Sequence, residues 1–139
     1  MSDLNNDCLF CKILSGDIPA DIIHESETTI AFRDINPKAP THVLIIPRKH
    51  IATINDISED EHEIVGSLYS SARTIASAEG IAEEGYRVVM NCNEAAGQTV
   101  FHLHMHVIPR WENDGLHKPW DIAPASDEDL REVLQQITK

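Results

Sequence analysis

Three histidines alternate with apolar residues in the C-terminal half of the chain, in the order His102-Leu103-His104-Met105-His106. Because alternate side chains of a β-strand share a face, a strand here predicts three imidazoles on one face in steps of about 6.6 Å. Adjacent imidazoles compete for protons, so a purely structural core would be more stable with valine or isoleucine at these positions. A neutral imidazole is a good nucleophile near pH 7, and the pattern therefore indicates chemistry.

Two alternatives to nucleophilic catalysis stay open on the residues alone. Histidine is the commonest ligand of transition metals, so the three side chains can instead hold a catalytic metal. They can also be structural, as isolated histidines usually are. The loop Gly97-Gln98-Thr99 just before them favours a functional site, since glycine lets a backbone approach a phosphate closely.

Cysteine usage points to a second kind of site. The chain has three cysteines, Cys92 and the pair Cys8-x-x-Cys11. An odd count argues against a disulfide framework, and the polar segment Met1 to Asp7 lacks the features of a secretory or transit signal. We therefore expect a metal site at the cysteine pair, in a cytoplasmic protein.

Composition predicts one soluble domain over residues 1–139. The chain is 42% hydrophobic and 24% charged, which is typical of a globular fold. Its net charge of -12 opposes non-specific binding to nucleic acid or to an anionic membrane. Residues 30–55 carry four basic side chains against one acidic, which predicts a local anion-attracting surface unless these are scattered surface charges.

Local patterns predict an α+β protein with an antiparallel sheet. Five segments are typical of strands: Ile22–His24, Thr29–Phe32, Val43–Ile46, Tyr86–Met90 and Leu103–Ile108. A capping box of Ser58 and Glu61 predicts a long helix that ends at Gly80. Short terminal helices are expected over Cys8–Leu14, with Asp7 as N-cap and with Gly16 and Pro19 ending the helix, and after Ser126.

Five blocks of the sequence together resemble the histidine-triad (HIT) superfamily, and their order resembles its HINT-like branch of the zinc-containing bacterial type. The blocks are residues 8–13, 31–35, 40–47, 97–101 and the triad run 102–108. The resemblance implies a single HIT-like α+β domain with about five antiparallel strands, one long helix and short terminal helices. It also implies a homodimer.

The reaction that the resemblance implies takes place at the α-phosphate of a purine nucleotide. His104 would be the nucleophile and would form a covalent nucleotidyl-histidine that water hydrolyses. The carbonyl of His102 would fix the ring of His104, His106 would contact the phosphate and leaving group, and His42 would support the triad. Taken alone, His42 is more typical of a half-buried structural histidine.

The same resemblance implies the residues that bind the nucleotide, besides His104 and His106. Gln98 and Thr99, with Gly97 and Asn91, would lie near the phosphate, Asp34 would bind the ribose, and Ile35 would line the base pocket. Alternatives stay open for three of them. An aspartate before Ile-Asn-Pro is often a turn residue, Asn91 can simply end a strand, and Gly97 can be an ordinary turn glycine. We assign no role to Cys92, Trp111 or Trp120.

A structural zinc ion, one per chain, completes the implied site. Its ligands would be Cys8, Cys11, His50 and His102, and four protein ligands leave no open position for water. Two unliganded cysteines are the alternative.

Nucleoside phosphoramidates are the substrates that the resemblance favours. The alternatives are a dinucleoside polyphosphate hydrolase and a non-catalytic, zinc-stabilised protein that binds nucleotide or acts as a scaffold. Neither nucleic acid nor a membrane is expected as a partner.

Overall fold

The computed structural model describes residues 7–34, 37, 41–116 and 124–138, and it confirms the α+β fold. Its strands are β1 Ile22–Glu25, β2 Thr29–Arg33, β3 Val43–Pro47, β4 Tyr86–Val89 and β5 Met105–Pro109. Its helices are α1 Leu9–Ser15, α2 His62–Ala78 and α3 Asp127–Ile137. Within the described residues, no helix combines the length and the apolar composition needed to span a bilayer.

The five strands form one antiparallel sheet in the order β1-β2-β3-β5-β4. The first three strands are a meander, and the chain then passes through α2 before it adds the last two strands. β5 enters between β3 and β4, so His106 is paired with Leu44 on one side and with Val89 on the other. The end of the histidine run therefore lies on an interior strand of the sheet, next to the edge strand β4.

Side chains of the central strands are buried on both faces of the sheet. One face packs on α2 and forms a core with these members: Ala31, Val43, Ile45, Leu68, Ala72, Ile75, Met105 and Val107. The opposite face packs on α1 and forms a second core: Cys8, Phe10, Cys11, Ile30, Phe32, Leu44 and Ile46. Because side chains alternate along a strand, β2 and β3 each contribute to both cores. β5 contributes only to the core that packs on α2.

The start of α1 differs from the prediction. Cys8, and not Asp7, occupies the N-cap position, and its sulfur accepts a hydrogen bond from the Cys11 N–H at 3.4 Å. The thiol replaces the usual oxygen cap because the whole start of the helix is drawn into the core, where Cys8 and Cys11 are buried. The predicted end is confirmed, since Gly16 caps the helix with a φ of 86°.

The long helix also begins later than predicted. The Ser58 N–H donates to the Glu61 carboxylate at 2.8 Å, as a capping box requires, but residues 59–61 form a 3₁₀ turn and α2 starts at His62. Glu61 also pairs with Lys49 at 2.7 Å, which ties the turn to the segment after β3. At the other terminus, the Ser126 hydroxyl caps α3 as predicted.

The strand that carries the triad begins at Met105 and not at Leu103, so His102 and His104 precede the paired segment. The Leu103 N–H donates to the Ile51 carbonyl at 2.7 Å, outside the ladder of the sheet. The alternation nevertheless continues through this segment, because Leu103, Met105 and Val107 are all buried. The three histidines therefore lie on the face that packs against α1.

Candidate active site and metal centre

Four side chains from three parts of the chain converge at the start of α1. Cys8 and Cys11 come from the helix, His50 follows β3, and His102 precedes β5. The Nδ1 atom of His102 lies 3.4 Å from Cys8 Sγ, 3.5 Å from Cys11 Sγ and 3.2 Å from His50 Nδ1. Tetrahedral zinc with normal bond lengths separates its ligand atoms by about 3.3–3.8 Å. Both the spacing and the two-thiol, two-imidazole donor set fit zinc.

The orientation of His102 supports this geometry. A carbonyl oxygen can only accept, so the 2.8 Å contact between His102 Nε2 and the Pro47 carbonyl places the ring proton on Nε2. Nδ1 then presents its lone pair to the thiols. Burial is the main reason that the pKa of His102 falls to about 4, so the ring is neutral near pH 7. A backbone hydrogen bond of this kind is what commonly orients a metal-binding histidine.

A backbone carbonyl also fixes the tautomer of His104, but here the ring proton is on Nδ1 instead of Nε2. Its Nδ1 lies 2.8 Å from the His102 carbonyl and must donate, which leaves Nε2 unprotonated. Burial lowers the pKa of His104 and outweighs the His102 carbonyl and the charge of Asp34, both of which raise it. The ring is therefore a neutral imidazole with one fixed tautomer, as nucleophilic attack requires.

The third triad histidine belongs to a small polar cluster with His42 and Asp34. His42 Nε2 lies 3.0 Å from His106 Nδ1 and 3.5 Å from an Asp34 carboxylate oxygen. The same oxygen is 4.0 Å from His106 Nδ1. His42 is 2% exposed and lies behind His106, so it can hold that ring in place without reaching solvent.

A cavity of about 960 Å³ opens in front of these histidines. Its polar end is formed by Asp34, Thr99, His104 and His106. Its apolar wall includes members of α1 and of the sheet: Leu9, Phe10, Ile13, Phe32 and Leu44. An apolar slot that ends in a few polar groups is typical of a small-molecule site, and this one is large enough for a nucleotide.

Phe10 connects the metal cluster to the cavity, and sequence reasoning did not single it out. It lies between the two cysteines, and its ring meets the ring of His104 edge to face at a centroid distance of 5.1 Å. Its ring also lies 6.0 Å from that of His102. The position of an aromatic residue inside Cys-x-x-Cys was the available signal, because a helix that delivers two thiols must deliver the residues between them too.

The loop before the triad has a partly different arrangement from the one expected. Gln98 is buried, and its amide is used within the protein: its oxygen accepts from the Asn93 N–H, and its nitrogen donates to the carbonyls of Ala52 and Val100. The side chain therefore holds the loop, and its predicted contact with phosphate stays a prediction. Thr99 is exposed and lines the cavity beside the histidines.

Ile35, which was predicted to line the base pocket, lies outside the described residues. Gly97 and Asn91 lie close to each other. A Cβ added to Gly97 would lie 3.4 Å from Asn91 Nδ2, and Gly97 has a φ of 108°. The contact is an ordinary van der Waals distance, but the positive φ requires glycine here. We predict that Gly97→Ala lowers the free energy of unfolding by about 1–3 kcal/mol through backbone strain. Denaturant unfolding measures this.

Gly66→Ala is the matched control, because Gly66 lies within α2 and an added Cβ would meet nothing within 4 Å. Alanine should stabilise that helix by about 0.5–1 kcal/mol. Equal effects of the two substitutions would contradict the requirement for glycine at position 97.

The described lysine and arginine side chains of the basic segment, residues 30–55, are each paired with a carboxylate, which reduces the positive charge that the composition suggested. Arg33 pairs with Glu79, Arg48 with Glu25 and Lys49 with Glu61. Lys38 lies outside the described residues. The acidic partners come from distant parts of the sequence, so a local count of charges could not reveal them.

Comparisons with known proteins agree with this architecture. A profile of the HIT domain matches residues 15–113. The purine nucleoside phosphoramidase of Escherichia coli strain K12 is 48% identical over 100 residues, which are 72% of this chain and 84% of that protein. A HIT family hydrolase from Legionella pneumophila Philadelphia 1 is 52% identical, with a TM-score of 0.71 over 73% of this chain and 90% of that one. SMU.412c from Streptococcus mutans UA159 is 32% identical, with a TM-score of 0.84 over 99% and 87%.

Proposed function

The chain belongs to the HIT domain family and is a hydrolase, and on this basis we propose that it hydrolyses purine nucleoside phosphoramidates through a covalent nucleotidyl-histidine on His104. The observation that carries the proposal is the fixed tautomer of His104. Its Nδ1 proton is engaged by the His102 carbonyl, so the lone pair of Nε2 is available at the polar end of the cavity. The similarity to a purine nucleoside phosphoramidase supports the substrate class.

In the first step, Nε2 of His104 attacks the α-phosphorus, and the bond from phosphorus to the amine nitrogen breaks. The leaving amine takes a proton from the hydrogen-bonded pair of His42 and His106, whose facing nitrogens lie 3.0 Å apart. In the second step, water attacks the phosphorus, His104 leaves, and the nucleoside monophosphate is released. The attacking water gives up one proton, which replaces the proton that the His42–His106 pair gave to the amine. Splitting the displacement in this way replaces one difficult step by two easier ones.

Binding of the nucleotide is assigned to the residues around the same cavity. We propose that the Asp34 carboxylate accepts from the ribose hydroxyls and that the apolar wall with Phe10 and Phe32 holds the base. We also propose that the hydroxyl of Thr99, which lines the same cavity, donates to the phosphate. Gln98 supports this contact indirectly, because its three hydrogen bonds hold the loop on which Thr99 stands.

We further propose that Cys8, Cys11, His50 and His102 bind one structural zinc ion. Such an ion would supply a cross-link, because four protein ligands complete its shell and leave no position for substrate. The link would join α1, which is too short to be stable alone, to the segment that carries the triad. A single domain over residues 1–139, a homodimer and a cytoplasmic location stay predictions from the sequence.

The substrate class is tested by steady-state kinetics with three leaving groups on adenosine 5′-monophosphate. We expect a higher kcat/KM for an adenosine phosphoramidate than for diadenosine tri- or tetraphosphate. The one arginine in the described lining of the cavity, Arg33, is already paired with Glu79, and the carboxylates of Asp21 and Asp34 would repel a polyphosphate chain. A strong preference for the polyphosphates would contradict the proposed substrate. Tight binding of adenosine monophosphate without turnover of any of these compounds would favour the non-catalytic alternative.

A further inference from the structure

A second cluster of metal-binding side chains lies outside the thiol site. Asp34, His42 and His106 each offer one ligand atom, and these atoms lie within 4.8 Å of one another. The side chain of Asp34 is 14% exposed, that of His42 2% and that of His106 20%. Two imidazoles and one carboxylate are a donor set that divalent transition metals bind in proteins.

The donor atoms of the cluster are close enough together to share one ion after small movements of the side chains. The three atoms form a triangle with sides of 3.0, 3.5 and 4.0 Å. A point about 2.1 Å from all three exists inside such a triangle, and about 2.0–2.2 Å is the normal distance from zinc to imidazole nitrogen or carboxylate oxygen. The cavity reaches Asp34 and His106, so the remaining positions around an ion would face solvent.

We propose that Asp34, His42 and His106 form a second divalent-metal site, and that the metal bound there excludes the nucleotide. The exclusion rests on the proposed function, which gives the same carboxylate to the ribose and the same His106 to the phosphate. A metal ion would also displace the proton shared by His42 and His106, because both nitrogens must then offer lone pairs. Excess metal thereby acts as a competitive inhibitor.

The donor atoms of the two sites predict the order in which they fill. The first site offers two thiolates and two imidazoles and completes a tetrahedral shell, whereas the described residues of the second supply three protein ligands and no sulfur. Zinc should therefore occupy the thiol site first. The second site should fill only when metal exceeds one equivalent, and it should accept Co²⁺ as well as Zn²⁺.

The test is a titration of full-length protein, of measured zinc content, with Co²⁺ followed by calorimetry and by NMR of the imidazole nitrogens. We expect one further equivalent of Co²⁺ per chain and selective paramagnetic broadening of His42 and His106. Saturating adenosine monophosphate should raise the apparent Kd for Co²⁺ by the factor expected for competition. Broadening that is confined to His24 and His62, or no further equivalent, would overturn the proposal.

A pair of variants provides a second, independent readout. Asp34→Asn keeps the size of the side chain but removes the charged ligand, so the added equivalent of Co²⁺ should be lost while zinc at the thiol site is retained. His62→Gln removes an exposed imidazole at the start of α2 and should leave both metal binding and turnover unchanged. Undiminished Co²⁺ binding by Asp34→Asn would reject the site. If no phosphoramidate is turned over at all, the stoichiometry and NMR shifts still decide whether the metal binds.

Discussion

Replacing His104 by alanine is expected to lower phosphoramidate turnover by several powers of ten, while zinc content and affinity for adenosine monophosphate stay close to those of the unchanged protein. The substitution removes the attacking nitrogen but no ligand of the thiol site. Affinity should change by less than about tenfold, or 1.4 kcal/mol, because the rest of the cavity lining is intact. Fixed-time activity assays measure turnover, elemental analysis measures zinc content, and nucleotide titration measures the affinity.

Some loss of stability is expected with this variant and must be separated from the loss of catalysis. His104 is 6% exposed, and without it the His102 carbonyl loses its hydrogen-bond donor, at a cost of about 1–3 kcal/mol. Activity is therefore compared well below the Tm of both proteins. Turnover near the unchanged rate would end the nucleotidyl-histidine mechanism, and loss of metal from His104→Ala would favour a catalytic metal held by the triad.

Replacing Cys11 by serine is expected to cause the largest loss of stability. Cys11 is 2% exposed, and its sulfur lies 3.4 Å from His50 Nδ1 and 3.5 Å from His102 Nδ1. Removing one thiolate opens the zinc shell, and the binding energy of a structural zinc contributes directly to folding. A loss of several kcal/mol would lower the Tm by about 10 °C or more in a chain of this size.

Cys92→Ser is the matched control for this experiment. Cys92 is half-buried and belongs to none of the metal-binding clusters found among the described residues. It should keep one zinc per chain and a Tm within about 2 °C of the unchanged protein, as expected for a substitution that removes no such interaction. A metal-free protein with an unchanged Tm would contradict the structural role of zinc, whichever cysteine is replaced.

Sequence patterns predicted the parts of the fold that depend on nearby residues. The alternation of histidine with apolar residues predicted their common face, and this holds although β5 starts only at Met105. The Ser58–Glu61 hydrogen bond and the glycine cap at Gly16 are likewise short-range features. Each depends on residues within four positions of one another, so the chain itself specifies the geometry.

Features that depend on distant residues could not be predicted in the same way. The interior position of β5 depends on pairing with β3, which precedes α2 in the chain, and no local pattern encodes that partner. Gln98 has the polarity of a phosphate ligand, yet hydrogen bonds to Ala52 and Val100 occupy its amide nitrogen. The convergence of His50 and His102 on the two cysteines was expected from the resemblance alone, and the distances that make it fit zinc required the structure.

The central claim, a covalent intermediate on His104, is tested most directly by mass spectrometry of full-length protein quenched in acid within the first turnover of an adenosine phosphoramidate. We expect one adenylyl group per active site, located on His104 by peptide fragmentation, which forms and is lost at rates compatible with kcat. The His104→Ala protein under identical conditions should carry no such group. Normal turnover with no adduct at any quench time, or an adduct on another residue that forms and decays at kcat, would contradict it.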